Sequence, residues 1–315
     1  MFSRISLSLD GSLLAEQILP FVRLLTPPLN LPVDLFTVIE PASNHPSRTP
    51  ARATAYLQEV REKYFSSLVS VTCHVETGEP AAVIIERYRN DPDCLIAMAT
   101  HGMLGLRRWL MASVTSKVVQ HTTNPLLIIR SAEEDDPAGR VTFTTIVVLF
   151  DGSGLAEKVL PTMVGLAKAL KLEVQVIGVY TPAAQAYIIT DGVIAQSTAQ
   201  FNENLRDEAE TYLEGQVQAL RAEGLENVIA TALLGDAAAE IIDFARRIES
   251  NLVAMSTHGR SGLGRWLLGS IAEKVVQHSE DPVLMLRALE RPSIARLDLP
   301  RRYLFSEAPA GCCRA

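Results

Sequence analysis

"HGMLGLRRWLMASVTSKVVQH" (residues 101–121) and "HGRSGLGRWLLGSIAEKVVQH" (residues 258–278) agree at 13 of 21 positions without a gap. The likeness spreads in both directions. His101 and His258, Pro125 and Pro282, and Gly78 and Gly235 are each 157 residues apart. Near the start of each half "LDGSLLAEQILP" pairs with "FDGSGLAEKVLP", setting Asp10 and Asp151 141 residues apart. The second copy therefore carries 16 more residues between its first and third strands, placed around 181–200. A period this long is that of a duplicated domain, since solenoid units are far shorter.

Each copy alternates short apolar runs with helical stretches. "RISLSL", "VDLFTVI", "VTCHVE", "CLIAMAT" and "PLLIIR" read as strands in the first copy, with helices at 12–26, 51–69, 80–90 and 113–121. "TIVVLF", "EVQVIGVY", "NVIATALL", "LVAMST" and "PVLMLR" repeat the series. Strand–helix alternation implies right-handed crossovers, so each half is an open, mostly parallel five-stranded α/β sheet flanked by helices. The runs Leu126–Arg130 and Val283–Arg287 read as edge strands able to pair within the chain or between chains. The acidic, Pro- and Gly-bearing "SAEEDDPAGR" (131–140) contains the linker. The chain thus divides into domain 1 (1–132), a linker (133–140), domain 2 (141–288) and a tail (289–315) with no sustained period.

The 315 residues carry a net charge of −7, which argues against a general nucleic-acid binder needing a basic face. No apolar run reaches the roughly 18 residues of a membrane span. Asp10 and Glu16 interrupt the region where a signal peptide would be continuously apolar, so the expected location is cytoplasmic. Cys73 and Cys94 stand singly in apolar contexts and read as buried reduced thiols, while Cys312 and Cys313 adjoin in the tail without a further ligand.

Ligands on such sheets bind beyond the carboxyl ends of strands where the strand order reverses. Asp151 follows the first strand of the second copy, and "MSTHGRSGLGRWLLGS" follows its fourth and leads into a helix. Gly259, Gly262 and Gly264 allow close backbone approach to an anion, and Gly269 and Ser270 open a helix whose N-terminus favours phosphate. Arg260 and Arg265 add positive charge, and the Asp151 carboxylate suits ribose hydroxyls. Simpler readings stand beside these. Ser270 with Glu273 fits a capping box, and Asp10 and Asp151 fit turn or N-cap positions. Trp109 and Trp266 read as packing anchors, and His121 and His278 as helix-end residues that favour the dipole. His101 and His258 lie inside the candidate loops with no Ser, Cys or carboxylate at a revealing spacing.

This arrangement resembles the universal stress protein family, whose ATP-binding members carry Gly, two residues, Gly, nine residues, then Gly followed by Ser or Thr. The second copy has Gly259, nine residues and Gly269-Ser270, with Ser256 at the first position. The first copy has Ala99, Gly102 and Ala112-Ser113, so two of its three glycines are replaced. The resemblance implies strand order 3-2-1-4-5, a Rossmann-like layout, and two domains packed as a pseudo-dimer. It further implies that Asp151 meets ribose, that Val179 and Met255 line an adenine pocket, and that Ser256, Gly259, Gly269, Ser270 and Ile271 follow the phosphates. The counterparts in the first copy are Asp10, Val38, Met98, Ala99, Gly102, Ala112, Ser113 and Val114, expected to bind more weakly.

The implied cofactor is ATP, with or without Mg2+, and the implied role is that of a nucleotide-dependent stress-response regulator. A homodimer and a signalling protein partner go with that role. No Walker-type lysine or paired carboxylates are present, so the chain is expected to be at most a weak ATPase, with no catalytic residue and no metal site. Two alternatives remain: a nucleotide-free scaffold acting through dimerisation and protein contacts, and an adenylating ligase or pyrophosphatase, whose Ser-Gly-Gly or His-rich signatures are missing from "LDGS" and "FDGS".

Overall fold

The computed structural model describes residues 1–41, 49–66, 70–101, 113–131, 141–152, 159–181, 194–256 and 269–287. The first half runs β1 (Arg4–Ser8), α1 (Leu13–Glu16), α2 (Leu19–Leu29), β2 (Val33–Ile39), α3 (Pro50–Phe65), β3 (Val71–Thr77), α4 (Pro80–Tyr88), β4 (Cys94–His101), α5 (Ser113–His121) and β5 (Leu126–Ser131). The second runs β6 (Thr145–Leu149), α6 (Leu160–Leu170), β7 (Glu173–Tyr180), α7 (Ile194–Ala222), β8 (Val228–Leu234), α8 (Ala237–Arg246), β9 (Asn251–Ser256), α9 (Ser270–His278) and β10 (Val283–Leu286).

The strand order is β3-β2-β1-β4-β5-β10-β9-β6-β7-β8, one continuous ten-stranded sheet. Each half is 3-2-1-4-5 and parallel, as the alternation of strand and helix requires. The two five-stranded sheets expected from the sequence are therefore joined. The seam is antiparallel, β5 to β10, with Val283 opposite Ile128, Leu284 opposite Leu127 and Met285 opposite Leu126. Both runs that read as edge strands are consumed here, inside one chain. Pairing them buries Leu127 and Leu284, which are 0% and 1% exposed.

Helices cover both faces, so the strands are apolar on both sides rather than alternating. One face packs Leu7, Leu35, Leu95, Leu127, Val148, Val176 and Leu252 against α2, α3, α6 and α7. The other packs Phe36, Ile96, Met98, Val147, Ile177, Val179 and Met255 against α4, α5, α8 and α9. Across the seam the ring of Phe21 of α2 packs, tilted, against Phe143 just ahead of β6, with centroids 5.8 Å apart.

Three expectations are revised. The helix read at 12–26 is two helices that break at Gln17–Ile18 and continue to Leu29, with Pro27 and Pro28 tolerated in the last turn. The helix read at 51–69 ends at Phe65. Ser131, read as part of the acidic connector, is the last residue of β5, and its buried hydroxyl donates to the Leu14 carbonyl at 2.7 Å. Part of the second copy's extra length goes into α7, 29 residues long against 16 in α3. Residues 182–193 of that region, the connector 132–140 and the tail from 288 lie outside the described residues.

Candidate functional site

The strand order reverses between β6 and β9 in the second half, and between β1 and β4 in the first. In the β6–β9 register Val148 stands opposite Ala254, so Asp151, two residues past β6, and Ser256, the last residue of β9, lie toward the same end of the sheet. In the β1–β4 register Leu7 stands opposite Ala97, so Asp10 lies level with Thr100. The topology thus brings Asp151, Ser256 and the N-terminus of α9 to the same end of the sheet, and repeats this with Asp10, Ala99 and α5.

Each aspartate is delivered by the same turn. The glycine that follows it is left-handed, at φ +83° for Gly11 and +73° for Gly152, a conformation that a residue with a Cβ rarely adopts. Asp10 is exposed, and its Oδ1 accepts from Ser12 N at 2.9 Å and Ser12 Oγ at 2.6 Å. Ser12 Oγ in turn accepts from Ala15 N and caps α1. The turn reading of Asp10 therefore holds, and it fixes the carboxylate's direction. Asp151 is half-buried at the matching position.

Met255 and Val179, 2% and 0% exposed, belong to one apolar cluster with Ala272, Val275 and the half-buried Ile271. The counterparts Met98, Val38 and Val114 lie in the same layer, with Val38 and Val114 half-buried. Met255 and Val179 are thus part of the apolar layer on one face of the sheet. Ala99 is carried at the end of β4, where its carbonyl accepts from Thr115 Oγ1 at 3.4 Å.

Gly269 is the N-cap of α9, with its carbonyl accepting from Glu273 N at 2.9 Å. Ser270 is the first helical residue, and no side chain caps the helix. This overturns the capping-box reading of Ser270 and Glu273: a hydroxyl one position inside the helix does not sit where a cap must. Glu273 Oε1 instead accepts from Gln277 at 3.3 Å. Gly269 has φ −62° and ψ 142°, an extended conformation open to any L-residue.

The lysine shared by the two repeated helices has a structural task. Lys117 Nζ meets Glu79 Oε1 at 2.8 Å, and Glu79 Oε2 accepts from Ala82 N at 2.7 Å to cap α4. The Lys117 hydrogen bond, then the helix N–H, hold the Glu79 carboxyl below its ordinary range. Lys274 and Asp236 repeat the pairing at 3.9 Å. His121 and His278 close their helices as expected, with His121 Nδ1 2.9 Å from the Lys117 carbonyl. Gly102, Ala112, Gly259, Arg260, Gly262, Gly264, Arg265, Trp109, Trp266, His258, Cys312 and Cys313 lie outside the described residues, as do the side chains of His101 and Ser113. Among the described residues no group of three or more His, Cys, Asp or Glu could hold a metal ion. No helix there is long and apolar enough to cross a membrane.

A polar cluster that the sequence reading missed lies at the opposite end of the first half. The Asp34 side chain, 3% exposed at the second position of the apolar strand β2, accepts from Tyr88 Oη at 3.0 Å and from Thr72 Oγ1, and meets His74 Nε2 at 2.9 Å. Arg87 lies 3.7 Å away, pairs with Glu76 and stacks over the Phe36 ring at 5.0 Å. The signal was available: an ionisable residue inside "VDLFTVI" demands partners. The same places in the second copy hold Gln175, Ile229, Thr231, Phe244 and Ala245.

A model described as the universal stress protein family matches residues 1–130 and 142–287. The chain belongs to that family and contains two of its domains in tandem. The universal stress protein MJ0531 of Methanocaldococcus jannaschii is 30% identical over 149 residues, which is 47% of this chain and 85% of that one. A universal stress protein structure from Archaeoglobus fulgidus aligns with TM-score 0.63 and 18% identity over 91% of this chain and 97% of that one. The structure of the functionally unknown PA1789 of Pseudomonas aeruginosa aligns with TM-score 0.65 and 17% identity, covering 91% and 92%. At these identities the structural likeness speaks for the fold.

Proposed function

We propose that this tandem universal stress protein binds an adenine nucleotide, ATP with or without Mg2+, in the crevice between β6 and β9, and that nucleotide occupancy regulates its protein contacts. One observation carries the reading. At the strand-order reversal, the half-buried Asp151 and the side-chain-uncapped N-terminus of α9 stand at one end of the sheet, whose apolar layer on one face contains Val179 and Met255. A carboxylate there suits ribose hydroxyls, and free helix N–H groups suit phosphate. Ser256 and Gly259 are assigned to the phosphate path with Gly269, Ser270 and Ile271.

The first-half crevice, with Asp10, Val38, Met98, Ala99, Gly102, Ala112, Ser113 and Val114, is assigned the weaker site. The protein is read as cytoplasmic, with slow hydrolysis at most. The scaffold reading is kept as the second, because Ser256 and Ala99 stand where the family motif has glycine.

The test is the adenine nucleotide released on denaturing freshly purified protein, followed by titration of added ATP. About one equivalent per chain, lost in Gly269→Val but kept in Gly102→Val, supports binding by the second half. No released nucleotide and no binding of added ATP at millimolar concentration refutes it and leaves the scaffold.

A further inference from the structure

We infer that the β8 edge is a self-association surface, on which a second copy of this chain pairs β8 to β8, antiparallel, about a two-fold axis at Ala232. The inference does not rest on nucleotide binding. With β5 and β10 joined inside the chain, the sheet ends at β3 and β8 among the described residues.

These two edges are pseudo-symmetric counterparts and differ sharply. On the face toward α4, β3 presents Thr72, His74 and Glu76, the last two tied to Asp34 and Arg87. Charged side chains of this kind are how edge strands deter pairing. The matching residues of β8 are Ile229, Thr231 and Leu233, and the whole strand, "VIATALL", has no charge. Ile229 is 56% exposed and Leu234 47%, two of the four large hydrophobic residues exposed among the described residues. In a chain of net charge −7 an uncharged, apolar edge is where two copies can meet with least repulsion.

The backbone specifies the register. Gly235 N donates to the Tyr180 carbonyl, and the Asn227 carbonyl accepts from Val174 N, so the odd-numbered residues face β7. The even-numbered residues face outward. Val228 is already engaged, its N–H with the Glu226 carbonyl at 3.3 Å and its own carbonyl with Arg221 Nη2 at 3.2 Å. Among the described residues nothing pairs with the N–H and C=O groups of Ala230, Ala232 and Leu234 along the edge.

Placing Ala232 opposite Ala232 of the second copy, and Ala230 opposite Leu234, pairs all of these groups and leaves Val228 as it is. Small meets large on the α7 side, and Leu233 meets Thr231 on the other. The same register sets Asp236 of each copy opposite Val228 of the other, beside the Arg221 guanidinium, so opposite charges meet at both ends.

The test is the mass of the full-length chain in solution, by sedimentation equilibrium from about 1 to 100 µM. Wild type is expected at twice the chain mass. Ala232→Pro removes an outward N–H and leaves the bonds to β7 intact, which edge strands tolerate; Leu234→Glu puts a charge on the same edge. Both are expected to be monomers with unchanged far-ultraviolet circular dichroism. Val75→Pro, the counterpart on β3, is expected to stay dimeric.

In a Cys312→Ser, Cys313→Ser background, Ala232→Cys is expected to form an inter-chain disulfide on oxidation, since directly opposed residues of a hydrogen-bonded pair lie about 5.5 Å apart. A monomeric wild type overturns the inference, whatever covers the edge. So does a dimer that survives both β8 substitutions, or one that only Val75→Pro dissociates.

Discussion

Asp34→Asn tests whether a buried carboxylate organises the first half's outer layer. The side chain is 3% exposed and engages Thr72, His74 and Tyr88, with Arg87 at 3.7 Å. Asparagine keeps the volume and an oxygen that can accept from Thr72 and Tyr88. It loses the charge that draws His74 and Arg87. Hydrogen bonds to charged groups contribute about 1.5–3 kcal/mol each. His74 and Arg87 are themselves 38% and 23% exposed, so solvent screens their share and the lower end applies. The expected loss is about 2 kcal/mol, or a melting temperature lower by about 3 °C for a chain of 315 residues. Tyr88→Phe removes one donor and should cost about 1 kcal/mol. The double variant should lose less than the sum, by roughly 0.5–1 kcal/mol, because both substitutions break the same contact. Urea unfolding followed by circular dichroism measures all three. A loss below about 0.5 kcal/mol in Asp34→Asn, or strict additivity with Tyr88→Phe, would refute the network account. The second half builds the same face from Ile229, Thr231, Phe244 and Ala245, which is consistent with a buried polar network being replaceable as a set yet costly to break singly.

Two further outcomes follow from titratable groups. Burial raises the Cys94 thiol well above its ordinary range, and the smaller rise at the half-buried Cys73 has the same leading cause; in native protein at pH 8 a thiol reagent should leave Cys94 unmodified, and modification of Cys94 before unfolding would contradict the packing. Glu79 is held below its ordinary value, so its contribution to stability is complete above about pH 4.5 and is lost as the pH falls through the lowered value. Glu79→Gln should therefore be less stable than wild type at pH 6 by about 0.5 kcal/mol, a small figure because the pair is exposed, and the gap should shrink as the pH is taken down through the lowered value; a gap that does not change with pH would count against the ion pair with Lys117.

Much of the fold was legible because the duplication supplied its own check. Every strand named from an apolar run in one copy had a partner about 141 or 157 residues on in the other, before and after the insertion, and strand–helix alternation leaves few topologies. The seam was half legible: "PLLIIR" and "PVLMLR" were visible as edges, but whether two edges meet within one chain or between two is set by the connector and by the helices beside them. Helix ends were the weakest reading. Pro27 and Pro28 suggest a stop, since each lacks the N–H that would reach the carbonyl four residues back, yet the helix runs on to Leu29 and the Arg23 carbonyl left by Pro27 accepts from Thr26 Oγ1 at 3.4 Å. Asp34 went unnoticed since its partners come from β3 and α4, 38 to 54 residues away, and no local pattern announces them.

The conformation at Gly269 changes what the difference between the two halves can mean. Had this residue been left-handed, Ala112 would have strained the first-half loop and removed its site by backbone geometry alone. At φ −62° an alanine is accommodated. The remaining difference between the halves at this place is a methyl group next to the proposed phosphate path, which acts by volume and not by strain. A volume effect scales with side-chain size, so Gly269→Ala should weaken nucleotide binding in the second half less than Gly269→Val does. Strain would instead penalise both alike. For the same reason Ala112→Gly is the substitution by which the first half would gain affinity, provided that the methyl group and no other departure limits it.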